Sequence, residues 1–285
     1  MNTSLTTPTI GKYLLACPVR WSILTARDRP LPTRDAPELS DSARTVSDMD
    51  LILIPGFWLD GDSWSCVTAP LERAGHRVHV LTLPGLESRD ADRRGITLQH
   101  HVDAVVATVD RCAEKVVLVG HSGGGAIAYA VADARPDRVA RVVYVDSAPL
   151  PDGRPINDDL PVVDGEIPLP DWSEFTEGDL RDLDEAGREA FRAQALPQPT
   201  GVAYDKQVLR DERRHDVPAT VVCCQFSSDV VRGWLAEGHP MAAELARIRE
   251  VDLIDLPTGH WPQFTKPTEL ADAVLRAVER DRLRG

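Results

Sequence analysis

Short runs of apolar, mostly β-branched residues recur along the chain from residue 50 onward, and amphipathic stretches separate them. The apolar runs predict strands at residues 51–54, 77–83, 116–119, 141–145, 220–224 and 251–256. Apolar positions at helical spacing predict helices at residues 70–74, 97–113, 123–134, 180–195, 241–248 and 267–282. Strands that alternate with helices are typical of βαβ units, so we expect an α/β protein with a mostly parallel, doubly wound sheet.

Two stretches interrupt this alternation. Residues 1–47 contain several prolines and no clear periodicity, which predicts a partly disordered N-terminal extension. Residues 151–216 are acidic and proline-rich at first and then helical, and they stand between two predicted core strands. We therefore expect a core formed by residues 48–150 and 217–285, with a helical cap insertion at residues 151–216 over the active site.

Composition narrows the range of partners. The 285-residue chain has a formal net charge of −13, which disfavours binding to the phosphates of nucleic acids. It has no apolar run of the length that a membrane span requires and no signal-peptide pattern, so we expect a cytoplasmic protein that does not bind membranes. Its five cysteines lack metal-site spacing and are expected to be free thiols. The expected partner is a small-molecule substrate, and a homo-oligomer is left open.

The most informative motif is Gly-His-Ser-Gly-Gly at residues 120–124. It follows the predicted strand 116–119 directly and leads into the predicted helix 123–134. This order of strand, G-x-S-x-G and helix is what a nucleophile elbow needs, because small residues must flank the serine in so sharp a turn. The sequence therefore predicts Ser122 as a nucleophile exposed at the edge of the sheet.

Three motifs in a fixed order resemble the α/β-hydrolase superfamily over roughly residues 48–283: Ile54-Pro55-Gly56-Phe57-Trp58, the elbow, and Leu256-Pro257-Thr258-Gly259-His260-Trp261-Pro262. The segment from Val143 to Gly153 is similar to the branch that contains plant esterases and hydroxynitrile lyases. The resemblance implies a serine esterase with its catalytic groups in the order serine, acid, histidine. Where the superfamily commonly has His-Gly, this chain has Pro55-Gly56, which leaves the backbone donors intact.

The resemblance assigns roles to residues at these positions. His260 is expected to take the proton of the Ser122 hydroxyl, because a serine hydroxyl is a weak nucleophile at neutral pH. The backbone N–H groups of Phe57 and Gly123 are expected to form the oxyanion hole, with Trp58 as the alternate to Phe57. No metal or organic cofactor is needed for this chemistry.

The acid that orients His260 has two candidates. The loop after strand 220–224 is the usual site in the superfamily, and Asp229 lies there two residues beyond the expected position. Some relatives take the acid from the end of the strand after the elbow helix, where this chain has Asp146. We favour Asp229 and keep Asp146 as the alternative; a serine–histidine dyad without a strong acid also remains open.

Aromatic side chains and one histidine are expected to line an apolar substrate pocket: Trp58, His121, Trp172, Phe175, Phe191, Tyr204, Trp234 and Trp261. The acidic residues of the cap, Asp179 among them, are interpreted as mostly a solvated face. The predicted function is hydrolysis of a small, fairly apolar ester, lactone or thioester through an acyl-enzyme on Ser122. The alternatives are a hydroxynitrile lyase, for which Lys206 would supply the cation, a carbon–carbon bond hydrolase, and a non-catalytic ligand-binding member of the fold.

Overall fold

A computed structural model describes residues 48–282, and most of its strands belong to one sheet. In chain order the strands are β1 (Asp50–Ile54), β2 (Arg77–Val80), β3 (Val116–His121), β4 (Val139–Val145), β5 (Glu166–Ile167), β6 (Gln198–Pro199), β7 (Ala219–Cys223) and β8 (Val251–Asp255). Six of them form a parallel sheet in the order β2-β1-β3-β4-β7-β8. The direction of strand addition reverses between β1 and β3, so the carboxyl ends of these two strands flank the crevice where such sheets bind ligands.

Helices cover both faces of the sheet. In chain order they are α1 (Ser65–Arg73), α2 (Leu98–Arg111), α3 (Gly123–Ala134), α4 (Glu185–Gln194), α5 (Thr200–Tyr204), α6 (Ser228–Glu237), α7 (Pro262–Thr265) and α8 (Pro267–Arg282). Because side chains alternate along a strand, Leu51 and Leu53 of β1 pack in the core beneath α1 and α8. Ile52 and Ile54 face the other way, toward the core that holds α2 and α3. The predicted α/β-hydrolase fold with a mostly parallel sheet is confirmed.

The segment between β4 and β7 carries the elements that the sequence assigns to a cap. Strands β5 and β6 pair antiparallel, and α4 begins after Asp184, whose side chain accepts a hydrogen bond from the Gly187 N–H. This segment is tied to the loop after β1, since Trp58 Nε1 donates to the Ile167 carbonyl at 3.0 Å and the Leu196 N–H donates to the Trp58 carbonyl at 3.0 Å. The predicted boundaries of core and cap stay predictions.

The region after β7 differs from the expectation. The predicted helix 241–248 is wrong: the structure has two short 3₁₀ turns there, Pro240–Ala242 and Leu245–Arg247. Between them Glu244 is buried, and its carboxylate accepts a hydrogen bond from Tyr129 at 2.7 Å, so a tertiary contact overrides local helix propensity. Helix α6, for which no helix was predicted, occupies the preceding segment.

Several expectations concern the surroundings of the chain. The predicted extension, residues 1–47, lies outside the described residues. Within residues 48–282, no helix has both the length and the apolar composition that crossing a bilayer requires. The cytoplasmic location stays a prediction. The cysteines in the described part of the chain are unbridged, as expected: Cys66, Cys112, Cys223 and Cys224.

Candidate active site

Ser122 stands in a strained turn between β3 and α3. Its backbone has φ 51° and ψ −123°, a left-handed conformation that residues other than glycine rarely adopt. The glycines around it are required by close packing: a Cβ at Gly120 would lie 2.5 Å from the Gly124 carbonyl oxygen, and one at Gly124 would lie 2.6 Å from the Ile54 carbonyl oxygen. The turn therefore has the geometry that the G-x-S-x-G motif predicts for a nucleophile elbow.

His260 reaches Ser122 from the loop after β8. Its Nε2 lies 2.8 Å from Ser122 Oγ, a hydrogen-bond distance, and the histidine is only 3% exposed. The two residues are 138 positions apart in sequence, and the parallel sheet brings them together because both follow the carboxyl end of a strand. The structure thus brings Ser122 and His260 into contact, as the sequence predicts.

Asp146 is the carboxylate that contacts His260. Its Oδ2 lies 2.5 Å from His260 Nδ1, and its Oδ1 accepts the backbone N–H groups of Cys224 at 3.2 Å and Gln225 at 2.9 Å. Asp146 has φ 44°, and its own N–H donates to the Val222 carbonyl. The loop after β7, where relatives usually carry the acid, here supplies two amide donors to the carboxylate that follows β4.

The preference for Asp229 is wrong. Asp229 lies in the first turn of α6, its side chain is 91% exposed, and its carboxylate pairs with Arg232 at 2.7 Å. The helix begins immediately after Ser227, whose hydroxyl accepts the Val230 N–H, and it directs Asp229 into solvent. The favourable position for a carboxylate near a helix N-terminus accounts for this residue.

Two backbone N–H groups beside Ser122 are the candidates for the oxyanion hole. Within residues 48–282, the N–H groups of Phe57 and Gly123 make no hydrogen bond. A Cβ at Gly56 would lie 3.0 Å from Ser122 Cβ, so the turn that carries Phe57 runs against the elbow. The alternate donor does not fit, because the Trp58 N–H already donates to the Gln198 side chain at 3.4 Å.

His121 supports His260 from below instead of lining a pocket. It is completely buried, and its Nε2 donates to the His260 carbonyl at 2.8 Å. Burial, together with the nearby His260, holds the pKa of His121 well below its usual range, so the ring is neutral. Its prediction as a pocket residue is therefore wrong, because the elbow turns this side chain under the loop that carries His260.

Most of the remaining predicted pocket residues form one aromatic chain that ends at His260. The Trp172 ring lies 5.1 Å from Phe175 and 5.9 Å from Phe191, Phe191 lies 5.2 Å from Trp261, and Trp261 lies 5.1 Å from His260. These spacings are typical of favourable ring contacts. The chain links the cap to His260.

The other predicted pocket residues are placed differently. Trp234 lies on α6 and stacks on His239 at 5.4 Å, with Phe226 at 4.9 Å, so its ring contacts are with a different cluster. Tyr204 donates its hydroxyl hydrogen to the Leu160 carbonyl inside the cap. Trp58 packs edge-on against Phe57.

One cluster in the described part of the chain has the donor set of a metal site. Single ligand atoms of Asp50, His79 and Cys112 lie within 4.8 Å of one another. Arg77 donates two hydrogen bonds to the same Asp50 carboxylate, at 2.9 and 2.7 Å, which puts a fixed positive charge beside the position of a cation. The cluster lies at the start of β1, the opposite end of the sheet from Ser122, and we assign it no catalytic part.

Comparisons with known proteins identify the family of this chain. A model of the alpha/beta hydrolase family matches residues 51–273. The chain is 30% identical to lipase LipV of Mycobacterium tuberculosis over 201 residues, which cover 64% of this chain and 75% of the lipase. It is 25% identical to a pyrethroid hydrolase of Sphingobium wenxiniae over 252 residues, 79% of this chain and 86% of that protein.

A solved structure has the same fold. The extracellular alpha/beta-hydrolase from a Paenibacillus species aligns with a TM-score of 0.66 at 23% identity and covers 80% of this chain and 98% of its own. The chain belongs to the alpha/beta hydrolase family. The predicted superfamily and the predicted class of enzyme, a carboxylic ester hydrolase, are confirmed at this level.

Proposed function

We propose that this chain hydrolyses small, fairly apolar carboxylic esters through an acyl-enzyme on Ser122. The observation that carries the proposal is the continuous line from Ser122 Oγ to His260 Nε2, at 2.8 Å, and from His260 Nδ1 to Asp146 Oδ2, at 2.5 Å. The two distances lie within hydrogen-bond reach, which a nucleophile, its base and the orienting group of that base require.

The reaction would proceed in two acyl transfers. Ser122 Oγ attacks the ester carbonyl while its proton moves to His260 Nε2, and the N–H groups of Phe57 and Gly123 stabilise the oxyanion. His260 then gives the proton to the leaving alkoxide, which leaves the acyl group on Ser122. A water molecule, deprotonated by His260, releases the carboxylic acid and restores the serine. Asp146 holds the imidazole in the tautomer that carries its proton on Nδ1.

The surroundings of the site support an uncharged, apolar substrate. The aromatic chain that ends at His260 makes the cap side of the site apolar, although Phe191 and Trp261 are themselves buried. The formal net charge of −13 disfavours the approach of anionic substrates. Thioesters and lactones share the same carbonyl chemistry and belong to the same proposal.

The lyase alternative has less support. A hydroxynitrile lyase needs a cation close to the leaving cyanide, and Lys206, the lysine available in the cap region, is exposed. A non-catalytic ligand-binding role also has less support, because it places no requirement on the Asp146–His260 contact.

Hydrolysis of p-nitrophenyl acetate and butyrate tests the proposal. The wild-type protein should release p-nitrophenol and Ser122→Ala should not, while Ser65→Ala, a change at an exposed serine, should keep wild-type activity. Failure of the wild-type protein to hydrolyse any ester, or equal turnover by Ser122→Ala, would reject the proposal. Cyanide release from a cyanohydrin in the absence of ester turnover would favour the lyase.

A further inference from the structure

A short segment of the cap, residues 176–181, lies directly on the loop that carries His260. The His260 N–H donates to the Asp179 carbonyl at 3.1 Å. A Cβ at Gly259 would lie 2.5 Å from that same carbonyl oxygen and 2.6 Å from the carbonyl oxygen of Arg181. The backbone of this segment therefore packs against the histidine loop so closely that only glycine fits at position 259.

The side chain of Asp179 contacts a second loop. The residue is only 2% exposed, unlike the solvated face that the acidic composition of the cap indicates. Its Oδ2 accepts the Thr176 N–H at 2.6 Å, and its Oδ1 accepts a hydrogen bond from Gln225 Nε2. Both carboxylate oxygens thus have partners, which a buried carboxylate needs.

Gln225 connects this contact to the catalytic acid. Its backbone N–H donates to Asp146 Oδ1 at 2.9 Å, while its side chain donates to Asp179. Asp179 therefore touches the histidine loop through its carbonyl and the acid-binding loop through its carboxylate. These two loops follow β7 and β8, and Asp179 of the cap contacts both of them.

We propose that Asp179 is a positioning residue that sets the register of His260 against Asp146, and that seating of the cap is thereby coupled to assembly of the catalytic site. This inference rests on the proposed function for its kinetic consequence. When residues 176–181 move away from the His260 loop, the His260 N–H loses its partner, the Asp179 carbonyl. The side chain of Gln225 then also loses its contact with Asp179, which fixes the loop whose N–H binds Asp146. Movement of the cap would then loosen the site that the cap covers.

The kinetic consequence falls on the chemical step. Neither Asp179 nor Gln225 touches Ser122, so loss of their contact displaces the base without removing ester-binding surface. Small misplacements of catalytic groups lower rates steeply, so we expect kcat to fall about tenfold while KM stays within about twofold. A residue that only stabilised the fold would lower thermal stability and leave kcat of the folded protein unchanged.

Three variants test the coupling. Gln225→Met removes the side-chain donor and keeps the backbone N–H that Asp146 needs. Asp179→Asn leaves one oxygen to accept from both Thr176 and Gln225, so its kcat should fall less than that of Gln225→Met. The kcat of the double variant should fall no further than that of the worse single variant, because both changes act on the same contact. Asp171→Asn is the matched control, since Asp171 is an exposed cap residue whose carboxylate caps its own 3₁₀ turn.

Kinetics and hydrogen exchange decide together. The proposal expects lower kcat with little change in KM, and faster exchange of the His260 amide, in Gln225→Met and Asp179→Asn but not in Asp171→Asn. Wild-type kcat and unchanged exchange in these variants, or losses that add in the double variant, would overturn it. If the wild-type protein hydrolyses no ester, the proposed function fails by itself, and the exchange of the His260 amide still decides whether Asp179 holds the loop.

Discussion

Replacement of Asp146 by asparagine separates the two candidate acids. Asparagine has nearly the same shape, but the amides of Cys224 and Gln225 both donate to Oδ1, so the oxygen of the new side chain must stay there. Its NH₂ group then faces His260 Nδ1, where the aspartate accepts a hydrogen bond with an N···O distance of 2.5 Å. The imidazole must turn Nδ1 into an acceptor, which places its proton on Nε2, facing Ser122 Oγ at 2.8 Å.

An imidazole with its proton on Nε2 cannot accept the proton of serine. In a serine–histidine–aspartate site, such a change of tautomer lowers kcat on the order of 10⁴-fold. That loss corresponds to about 5 kcal/mol of transition-state stabilisation. Asp146→Asn should show it at an unchanged circular dichroism spectrum, since the substitution keeps the shape of the side chain.

Steady-state hydrolysis of p-nitrophenyl butyrate is the assay, with Asp229→Asn as the matched control. Asp229 has a side chain 91% exposed, so its substitution should leave kcat at the wild-type value. The reasoning is refuted if Asp146→Asn retains activity within about tenfold of the wild-type protein, or if Asp229→Asn loses as much as Asp146→Asn.

Further outcomes are expected for stability. Gly124→Ala puts a Cβ 2.6 Å from the Ile54 carbonyl oxygen and should lower the free energy of unfolding by about 1–3 kcal/mol. The Cβ of Gly233→Ala in α6 meets nothing within 4 Å, so this change should raise the free energy of unfolding by about 0.5–1 kcal/mol. Urea denaturation measures both. Burial lowers the pKa of His101 to about 4, so the folded state binds fewer protons than the unfolded state between pH 6.5 and pH 4. The free energy of unfolding should therefore be highest above pH 6.5 and should fall by up to about 3 kcal/mol as the pH drops to 4. His101→Gln keeps a donor to the Pro84 carbonyl and should flatten this slope while matching the wild-type protein at pH 8; an unchanged slope would contradict the assignment.

The sequence was sufficient to predict that Ser122 and His260 would meet, because each follows a strand. In a parallel sheet the carboxyl ends of all strands lie at one edge, so residues that follow strands meet there whatever their separation in sequence. The resemblance to the superfamily placed the expected oxyanion donors at Phe57 and Gly123, whose predicted roles depend on the backbone alone. Local patterns were enough for these positions.

The choice between Asp146 and Asp229 needed information that spacing does not hold. Strands β4 and β7 are neighbours, so the carboxylates that follow both lie near the same edge. The start of α6 decides between them, since Ser227 caps that helix and Asp229 turns outward. The signal was present as Ser-Ser-Asp followed by apolar residues at helical spacing, a typical helix N-terminus.

The contacts of the cap were beyond local patterns altogether. Asp179 stands among acidic cap residues that are mostly exposed. The surrounding sequence does not indicate that Asp179 is buried against Gln225, 46 positions away. His121 is a similar case, because only the three-dimensional turn shows that its ring lies beneath His260. Such pairings arise from the packing of distant loops.

Mass spectrometry of the acylated protein tests the central claim most directly, that His260 activates Ser122 as a nucleophile. After brief mixing with a p-nitrophenyl ester and acid quenching, one acyl group should appear on the peptide that contains Ser122, and it should be absent from Ser122→Ala and strongly reduced in His260→Ala. An acyl group found on another residue, or one formed equally in His260→Ala, would contradict the claim.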